Sequence, residues 1–385
     1  TKNNFENGYI SNFVIGNEID YAKDYNRISE KQAPIDVYME EYSRLMRLAN
    51  LATRKYSADI TVSMPLTHAW ASKGYSLPGD VVQAYAPKQL VEWLNTKTKM
   101  EGDYAWGIAP HIYGYHLAQA GVFYLDTLKS NGSGISGGRD VGITGDYNTT
   151  SQLTFTNLEV LDDYLHQSNM MFDGAVRPVY LTESGVSSHW NSQDYGDGLT
   201  VQAATIATAY YKISQLDSIV SFSYYRAFDN EIEAGDHAVF GLFTLGQEAK
   251  PAYNVYKYID TQYSSFVADK YLSSLQYFDK NQTLMTYGTD FTSYTQLLNI
   301  FGSDHDFSDF DWAKATPVTA DTVYEYEDKI DLSSVSFPDR SFLYDGLNHS
   351  LAITGTLPEG VSVAYSDNNR LADTGKEKVT ATFTK

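Results

Sequence analysis

Two carboxylates stand where short apolar runs of the sequence end, and their type and placement could support acid–base chemistry. Glu18 lies in the segment 13–20, directly after Asn17. Glu183 ends the run 178–183 and is followed by Ser and Gly. Cleavage of a glycosidic bond needs one carboxyl to protonate the leaving oxygen and a second to attack the anomeric carbon or activate water. We therefore predict that Glu18 and Glu183 form a catalytic pair brought together from different elements.

The chain between and after these residues alternates strand and helix patterns. Such alternation is typical of βαβ units with a parallel sheet, so we predict an α/β fold. Five units are fewer than the eight of a closed barrel. The Gly- and Ser-rich residues 130–150 read as a long loop. Strands are predicted at residues 13–17, 59–64, 104–113, 177–182 and 219–225, and helices at 35–56, 89–100, 157–170, 199–216 and 250–263.

At this point the residues resemble clan A, the retaining glycoside hydrolases with (β/α)8 TIM barrels. In that clan the acid/base follows an Asn at the end of strand four, as Glu18 follows Asn17, and the nucleophile ends strand seven, as Glu183 would. The strand holding Glu183 is the third after the strand before Glu18, which fits that numbering. The resemblance implies that residues 9–260 form the carboxyl-terminal part of the barrel, strands four to eight. The missing amino-terminal part is then expected upstream or on another chain.

The resemblance also implies roles for other residues. His111-Ile-Tyr113 is similar to the His-x-Tyr of strand six, in which the Tyr hydrogen-bonds the nucleophile. Asn17 would then bind the sugar 2-hydroxyl, Tyr113 would orient Glu183, and His111 would line the site. Many members end strand eight with a Trp beneath the sugar, and here Tyr224 or Tyr225 would take that place.

Several loop residues become candidates for contact with substrate. Active sites of such barrels lie at the carboxyl ends of the strands. We accordingly predict that five loop residues line the cleft: Asp20, His68, Trp70, His189 and Trp190. Each carboxylate and histidine also has an ordinary structural explanation, as a helix cap, a turn or a satisfied core residue.

Composition limits the partners. The 385-residue chain has a net charge of −20 and no Cys, which argues against nucleic acid or an anionic membrane surface and excludes thiolate metal sites. No apolar run reaches the roughly 20 residues of a membrane helix, so we predict no membrane insertion. A neutral oligo- or polysaccharide fits this charge. Acidic groups with histidine at Asp236-His237 and at 304–306 have no fixed ligand spacing, so we predict no metal and no cofactor, with a calcium site as a minor alternative.

The pattern changes towards the end of the chain. We predict a TIM-barrel unit at 1–263, a connecting region at 264–330, and a small β-sandwich-like module at 331–385. Residues 342–346 and 357–361 resemble the MBG-type modules of bacterial surface proteins. That resemblance implies an extracellular protein, held at the cell wall of a Gram-positive bacterium.

The sequence therefore predicts a retaining glycoside hydrolase that cleaves β-glycosidic bonds of a neutral glycan. Glu18 would be the general acid/base and Glu183 the nucleophile, with their carboxyl groups roughly 5–5.5 Å apart. The alternative is a non-catalytic carbohydrate-binding surface protein on a degenerate barrel.

Overall fold

The chain divides into two compact units, Thr1–Val318 and Thr319–Lys385. The computed structural model describes residues 10–21, 33–74, 84–130, 136–189, 197–259, 261, 263–286, 291–310, 332–343, 345, 347–366 and 378–384.

A five-stranded parallel sheet forms the centre of the first unit. The strands lie side by side in the order in which the chain makes them, β1 to β5, and each neighbouring pair is parallel. The parallel α/β organisation predicted from the sequence is confirmed. The strands are β1 (Asn12–Val14), β2 (Thr61–Leu66), β3 (Trp106–Ile112), β4 (Val179–Ser184) and β5 (Ile219–Tyr224).

Helices connect these strands, as βαβ units require. None of the helices in the described ranges has the length and apolar character needed to cross a bilayer. The helices are α1 (Ile35–Arg54), α2 (Pro87–Glu101), α3 (Val122–Thr127), α4 (Glu159–Leu165), α5 (Gly198–Ile213), α6 (Glu231–Gly235), α7 (Pro251–Tyr258), α8 (Ser264–Leu272) and α9 (Phe291–Leu298).

The most deeply buried strand lies in the middle of the sheet. All seven residues of β3 are buried, because a parallel strand in mid-sheet is covered on both faces. α1 buries Tyr38, Met39, Tyr42 and Met46, whose spacing places them on one face of the helix. The sheet and these helix faces therefore share one apolar core.

The two outer strands differ from the central ones. Phe13 and Val14 in β1 are 40% and 36% exposed, and Val220 in β5 is 55% exposed. β1 and β5 each have one strand neighbour among the described residues. β1 therefore lies at an edge of the described sheet, and its apolar side chains are partly exposed.

The residues after 263 continue the first unit. α8 contacts α5 and α7, and the hairpin of β6 (Gln276–Phe278) and β7 (Leu284–Thr286) contacts α3 through β6. The three-part division at 263 and 330 stays a prediction.

The second unit contains two small antiparallel pairs. β8 (Val335–Ser336) pairs with β9 (Thr354–Gly355), and β10 (Ser362–Ser366) pairs with β11 (Thr380–Thr384). Small antiparallel sheets agree with the β character predicted for this region. Two residues of the MBG-like motif, Tyr344 and Gly346, lie outside the described residues.

A buried ion pair just before β4 stabilises the fold, and its contribution can be measured. The Arg177 guanidinium is fully buried, donates to Asp103 Oδ2 at 2.7 Å and to the Tyr104 carbonyl at 3.0 Å, and covers the Trp106 ring. Asp103→Ala leaves this charge buried without its counter-ion. We expect the free energy of unfolding to fall by about 3 kcal/mol, measured by urea denaturation.

The exposed Asp59 provides a matched control. Asp59→Ala should change stability by less than about 0.5 kcal/mol. Equal effects of the two substitutions would contradict the importance assigned to the buried pair.

Candidate active site

The predicted catalytic groups meet at the carboxyl ends of the strands. In the β3–β4 pairing, His111 is the register partner of Glu183. After β1 the chain turns through Gly16 (φ 101°) and Glu18 (φ 39°), and the N–H of Ile19 donates to the carbonyl of Pro65 at 3.2 Å. This turn is anchored on β2, so Glu18 reaches β3 although it does not lie in a strand.

His111 bridges the two carboxylates. Its Nδ1 lies 2.9 Å from Glu18 Oε1 and 3.5 Å from Glu183 Oε2. One oxygen of each carboxylate and this nitrogen lie within 4.8 Å of one another. Retaining glycosidases hold their carboxyl groups about 5–5.5 Å apart, whereas inverting enzymes separate them by about 6.5–9.5 Å. One oxygen of Glu18 and one of Glu183 therefore lie within 4.8 Å of each other, close enough for the shorter class.

Exposure differs among the three groups in a way that suits a reaction centre. The His111 side chain is 4% exposed, while those of Glu18 and Glu183 are 27% and 32% exposed. The imidazole is fixed inside the protein, and both carboxylates can still be reached by a ligand.

Tyr113 contacts Glu183 directly, as the resemblance implied. Its hydroxyl donates to Glu183 Oε1 at 2.6 Å. Burial, and then the negative charge of Glu183, raise the pKa of Tyr113 far above its usual value, so the hydroxyl stays protonated and remains a donor. The bond fixes the orientation of the Glu183 carboxylate and leaves Oε2 as the oxygen nearer His111.

Two further candidates lie beside this group. The His68 ring packs edge-on against Tyr113 with 6.5 Å between the ring centres, and burial lowers the pKa of His68, partly offset by the charge of Glu18. Asn17 is half-buried, and its side-chain amide makes no hydrogen bond to the described residues. The amide is therefore available to a ligand.

Three candidates have structural positions instead. Trp70 is fully buried and its indole N–H donates to the Tyr147 carbonyl at 2.8 Å. The prediction that Trp70 contacts substrate was therefore wrong, because the ring lies in the core. Asp20 is also fully buried. The Tyr224 hydroxyl donates within the protein to the carbonyls of Val186 and Phe240, at 3.0 and 2.9 Å, which removes it from the sugar-contacting set.

Tyr225 is the tyrosine of this pair that packs near the carboxylates. Its ring lies against Phe240, which in turn contacts Tyr113. Its carbonyl oxygen would stand 2.5 Å from a Cβ added at Gly185. The residue two after Glu183 must therefore be glycine for β5 to approach this closely.

The last two loop candidates are less informative. His189 stacks on His237 with 4.1 Å between the ring centres. Trp190 lies outside the described residues.

Sequence reasoning missed the groups that hold Tyr225. The Tyr225 hydroxyl donates to Glu233 Oε1 at 2.8 Å, and Arg226 pairs with Glu233 Oε2 at 2.8 Å. Glu233 lies in α6, a five-residue helix too short to give a periodic signal. The Asn230 side chain, which caps α6, was the one local indication.

Asp20 anchors the turn that carries Glu18. Its carboxylate accepts hydrogen bonds from the backbone N–H of Thr67, at 2.8 Å, and from the Thr67 hydroxyl. Burial raises the pKa of Asp20 to about 6, against the opposing effect of these hydrogen bonds.

The raised pKa of Asp20 predicts a pH-dependent stability. The folded protein holds this proton more tightly than the unfolded chain, so the contribution is complete below about pH 4 and is lost as pH rises through about 6. Asp20→Asn removes it. We expect the free energy of unfolding of the variant, relative to the original protein, to rise by roughly 2–3 kcal/mol between pH 4 and pH 7. A difference that is constant across this range would contradict the prediction.

The three central groups could also hold a metal ion. Glu18, His111 and Glu183 each offer one ligand atom, and these three atoms lie within 4.8 Å of one another. Tyr113 already donates to Glu183 Oε1, which leaves Oε2 as the oxygen facing His111.

Residues 1–282 match DUF5722, a family of unknown function. The chain belongs to this family. The match to DUF5722 contains Glu18, His111, Tyr113 and Glu183, as well as the whole parallel sheet. No curated protein sequence matches the chain.

Among solved structures, this DUF5722 chain is similar to a family 1 β-glucosidase from Thermotoga maritima, with 12% identity and a TM-score of 0.31. The likeness covers 66% of this chain and 62% of the β-glucosidase chain. The DUF5722 chain thus spans less than two thirds of that structure. A likeness at this level does not bear on the reaction.

Proposed function

We propose that this protein is a retaining glycoside hydrolase acting on β-glycosidic bonds of a neutral glycan. The observation that carries the proposal is the spacing of Glu18 and Glu183, with oxygens within 4.8 Å and His111 between them. Two carboxylates from different elements, both accessible and this close, are what a double-displacement reaction needs.

In the first step, Glu183 attacks the anomeric carbon while Glu18 gives its proton to the glycosidic oxygen. The carbon–oxygen bond breaks, the alcohol leaves, and a glycosyl ester forms on Glu183. Tyr113 holds Glu183 in place through its 2.6 Å hydrogen bond. Asn17, on the same turn as Glu18, would bind the sugar 2-hydroxyl.

In the second step, water attacks the same carbon. Glu18, now a carboxylate, takes one proton from that water, and the ester bond to Glu183 breaks. Two successive inversions return the sugar in its original β configuration. His68 and Tyr225 line the proposed sugar site beside Tyr113.

The product anomer tests the proposal. A panel of aryl β-glycosides and β-linked polysaccharides would be screened for hydrolysis, and the first-formed product followed by proton NMR. We expect the β anomer first. An α anomer as the first product would overturn the nucleophilic role of Glu183, and binding of glycans without any hydrolysis would favour the carbohydrate-binding alternative.

The setting of the enzyme is part of the same proposal. We place it outside the cell at a Gram-positive wall, with residues 331–385 as a spacer module. We also propose that an amino-terminal part of the barrel, upstream or on another chain, covers β1 and β5. An apolar groove of about 600 Å³ beside β5, lined by Ile206, Tyr210 and Tyr256, supports a packed neighbour there. If adding that part left Val220 as reactive to surface labelling as before, this placement would be wrong.

A further inference from the structure

An arginine lies beside the proposed sugar site, and the reaction described above gives it no role. Arg226 directly follows Tyr225, and its guanidinium lies over the Tyr225 ring, 5.4 Å from the ring centre. Its Nη1 is 3.5 Å from the Tyr225 hydroxyl. The Arg226 side chain is 32% exposed, so a ligand that reaches Tyr225 can also reach this cation.

The position of Tyr225 brings this cation to the carboxyl ends of the strands. The N–H of Tyr225 donates to the carbonyl of Ser184 at 2.8 Å, one residue after Glu183. Burial, the hydrogen bond to Glu233 and the charge of Glu233 raise the pKa of Tyr225 against the opposing charge of Arg226, and the charge of Glu183 adds to the rise. The proposed nucleophile therefore acts electrostatically on the phenol that Arg226 covers.

Glu233 cancels the charge of this arginine. Its Oε2 lies 2.8 Å from Arg226 Nη1, and its Oε1 accepts the Tyr225 hydroxyl at 2.8 Å. The three side chains therefore form one connected group beside the sugar site. With the tyrosine protonated, this group has no net charge.

The guanidinium keeps donors that the protein does not use. Nε and Nη2 of Arg226 donate no hydrogen bond to any of the described residues, and the 3.5 Å contact of Nη1 with the Tyr225 hydroxyl is long for a hydrogen bond. An arginine offers five N–H donors in a planar fork that fits a carboxylate. Arg226 therefore has the donors that an anionic sugar needs, while Glu233 removes the net positive charge.

The helix that carries Glu233 is anchored by other residues. The Oδ1 of Asn230 accepts the backbone N–H of Glu233 at 3.2 Å. Just before this cap, Asp229 pairs with Lys250 at 2.8 Å, and both side chains are nearly buried. The backbone position of Glu233 therefore does not depend on the charge of its own side chain.

We propose that Glu233, by neutralising Arg226, makes the sugar site selective for neutral sugars and excludes uronic acids. The inference rests on the proposed glycoside hydrolase function and names the residue that decides its substrate class. A uronic acid carries a carboxylate in place of a hydroxymethyl group. In this site it would meet the carboxylates of Glu183 and Glu233, with the arginine already paired. Juxtaposed like charges are costly, and specificity often depends on such a repulsive element.

Glu233→Gln tests the proposal, because it removes the negative charge and keeps an oxygen that can accept the Tyr225 hydroxyl. The variant would be assayed with para-nitrophenyl β-glucoside and β-glucuronide, and with the matching galactoside and galacturonide. We expect kcat/KM for the uronide, relative to the neutral glycoside, to rise by about 10- to 100-fold in at least one pair. Adding Arg226→Gln to Glu233→Gln should abolish this rise, because the uronide then finds no cation.

Glu231 supplies the matched control, as an exposed carboxylate on the same helix. Glu231→Gln should leave the ratio of uronide to neutral glycoside unchanged. Glu233→Ala, which removes the charge together with the contact to Tyr225, should raise the ratio in the same direction as Glu233→Gln. An unchanged ratio in the folded Glu233 variants, or an equal rise in Glu231→Gln, would overturn the proposal.

Failure of this inference can be told apart from failure of the proposed function. Continued hydrolysis of the neutral glycosides with an unchanged ratio would remove the selectivity role of Glu233 alone. If the original protein hydrolyses none of the four glycosides, calorimetric binding of methyl β-glucoside and methyl β-glucuronide gives the corresponding ratio, and the same rise is expected in Glu233→Gln. Absence of binding of either sugar to the original protein and to Glu233→Gln would overturn both proposals.

Discussion

Glu183→Gln is expected to lower the turnover number for β-glycoside hydrolysis by about 10,000-fold or more, because no covalent intermediate can form without the nucleophile. Glutamine keeps the size of the side chain and can still accept the hydrogen bond that Tyr113 donates. The loss should therefore appear in turnover and not in folding or glycan affinity. Steady-state kinetics on an aryl β-glycoside and calorimetric binding of the same sugar measure the two effects separately.

Glu231 supplies a matched control. It is an exposed carboxylate on α6, and Glu231→Gln should hydrolyse the substrate at nearly the original rate. Turnover in Glu183→Gln within about tenfold of the original protein would remove Glu183 from the reaction. Intact glycan binding together with no turnover in the original protein would instead favour a binding module.

Glu18→Ala should distinguish the acid/base from the nucleophile by its dependence on the leaving group. Loss of general acid catalysis slows cleavage of a poorly activated alcohol by about 100- to 10,000-fold. A dinitrophenyl group leaves without protonation, so formation of the glycosyl ester should be nearly unaffected for that substrate. The ester should then accumulate, because Glu18 also activates water in the second step.

Azide provides the decisive measurement for this variant. As an anion it needs no general base, so it should attack the ester and yield a β-glycosyl azide, with a rise in turnover that the original protein does not show. An α-glycosyl azide, or equal losses for both leaving groups, would contradict the assignment of Glu18. Restoration by azide in Glu18→Ala but not in Glu183→Gln would assign the two roles independently.

Periodicity and chain order were enough to predict the scaffold. The strands at 61–66, 106–112 and 219–224 and the helices α1 and α5 carry clear apolar patterns, α2 carries a weaker one, and their edges differ from prediction by a few residues. Parallel strands present their carboxyl ends at one edge of a sheet, so Glu18, His111 and Glu183 could be expected together. The pairing of His111 with Glu183 follows from that geometry.

The directions in which individual side chains point could not be predicted from periodicity and chain order. Neighbouring strand residues point to opposite faces, so of Tyr224 and Tyr225 only one could be directed at the carboxylates, and the sequence did not say which. Trp70 stood in a loop after β2 but folds into the core, because its indole N–H finds the carbonyl of Tyr147, 77 positions away. The contact of His305 with α4 spans an even longer separation. Such contacts depend on the assembled fold.

The strands of this sheet lie in the same order as they occur in the chain, so the sheet is built from successive βα units. Each βα unit contacts the units before and after it, so units can be gained or lost at β1 or β5 without rethreading the chain. The two proposed catalytic carboxylates lie in different units of this series: Glu18 follows β1, and Glu183 lies in β4. A break of the gene anywhere between them would distribute the pair over two polypeptides, whereas a break before β1 or after β4 would leave it on one. Residues 12–184 are therefore the segment that keeps both proposed catalytic carboxylates on one polypeptide.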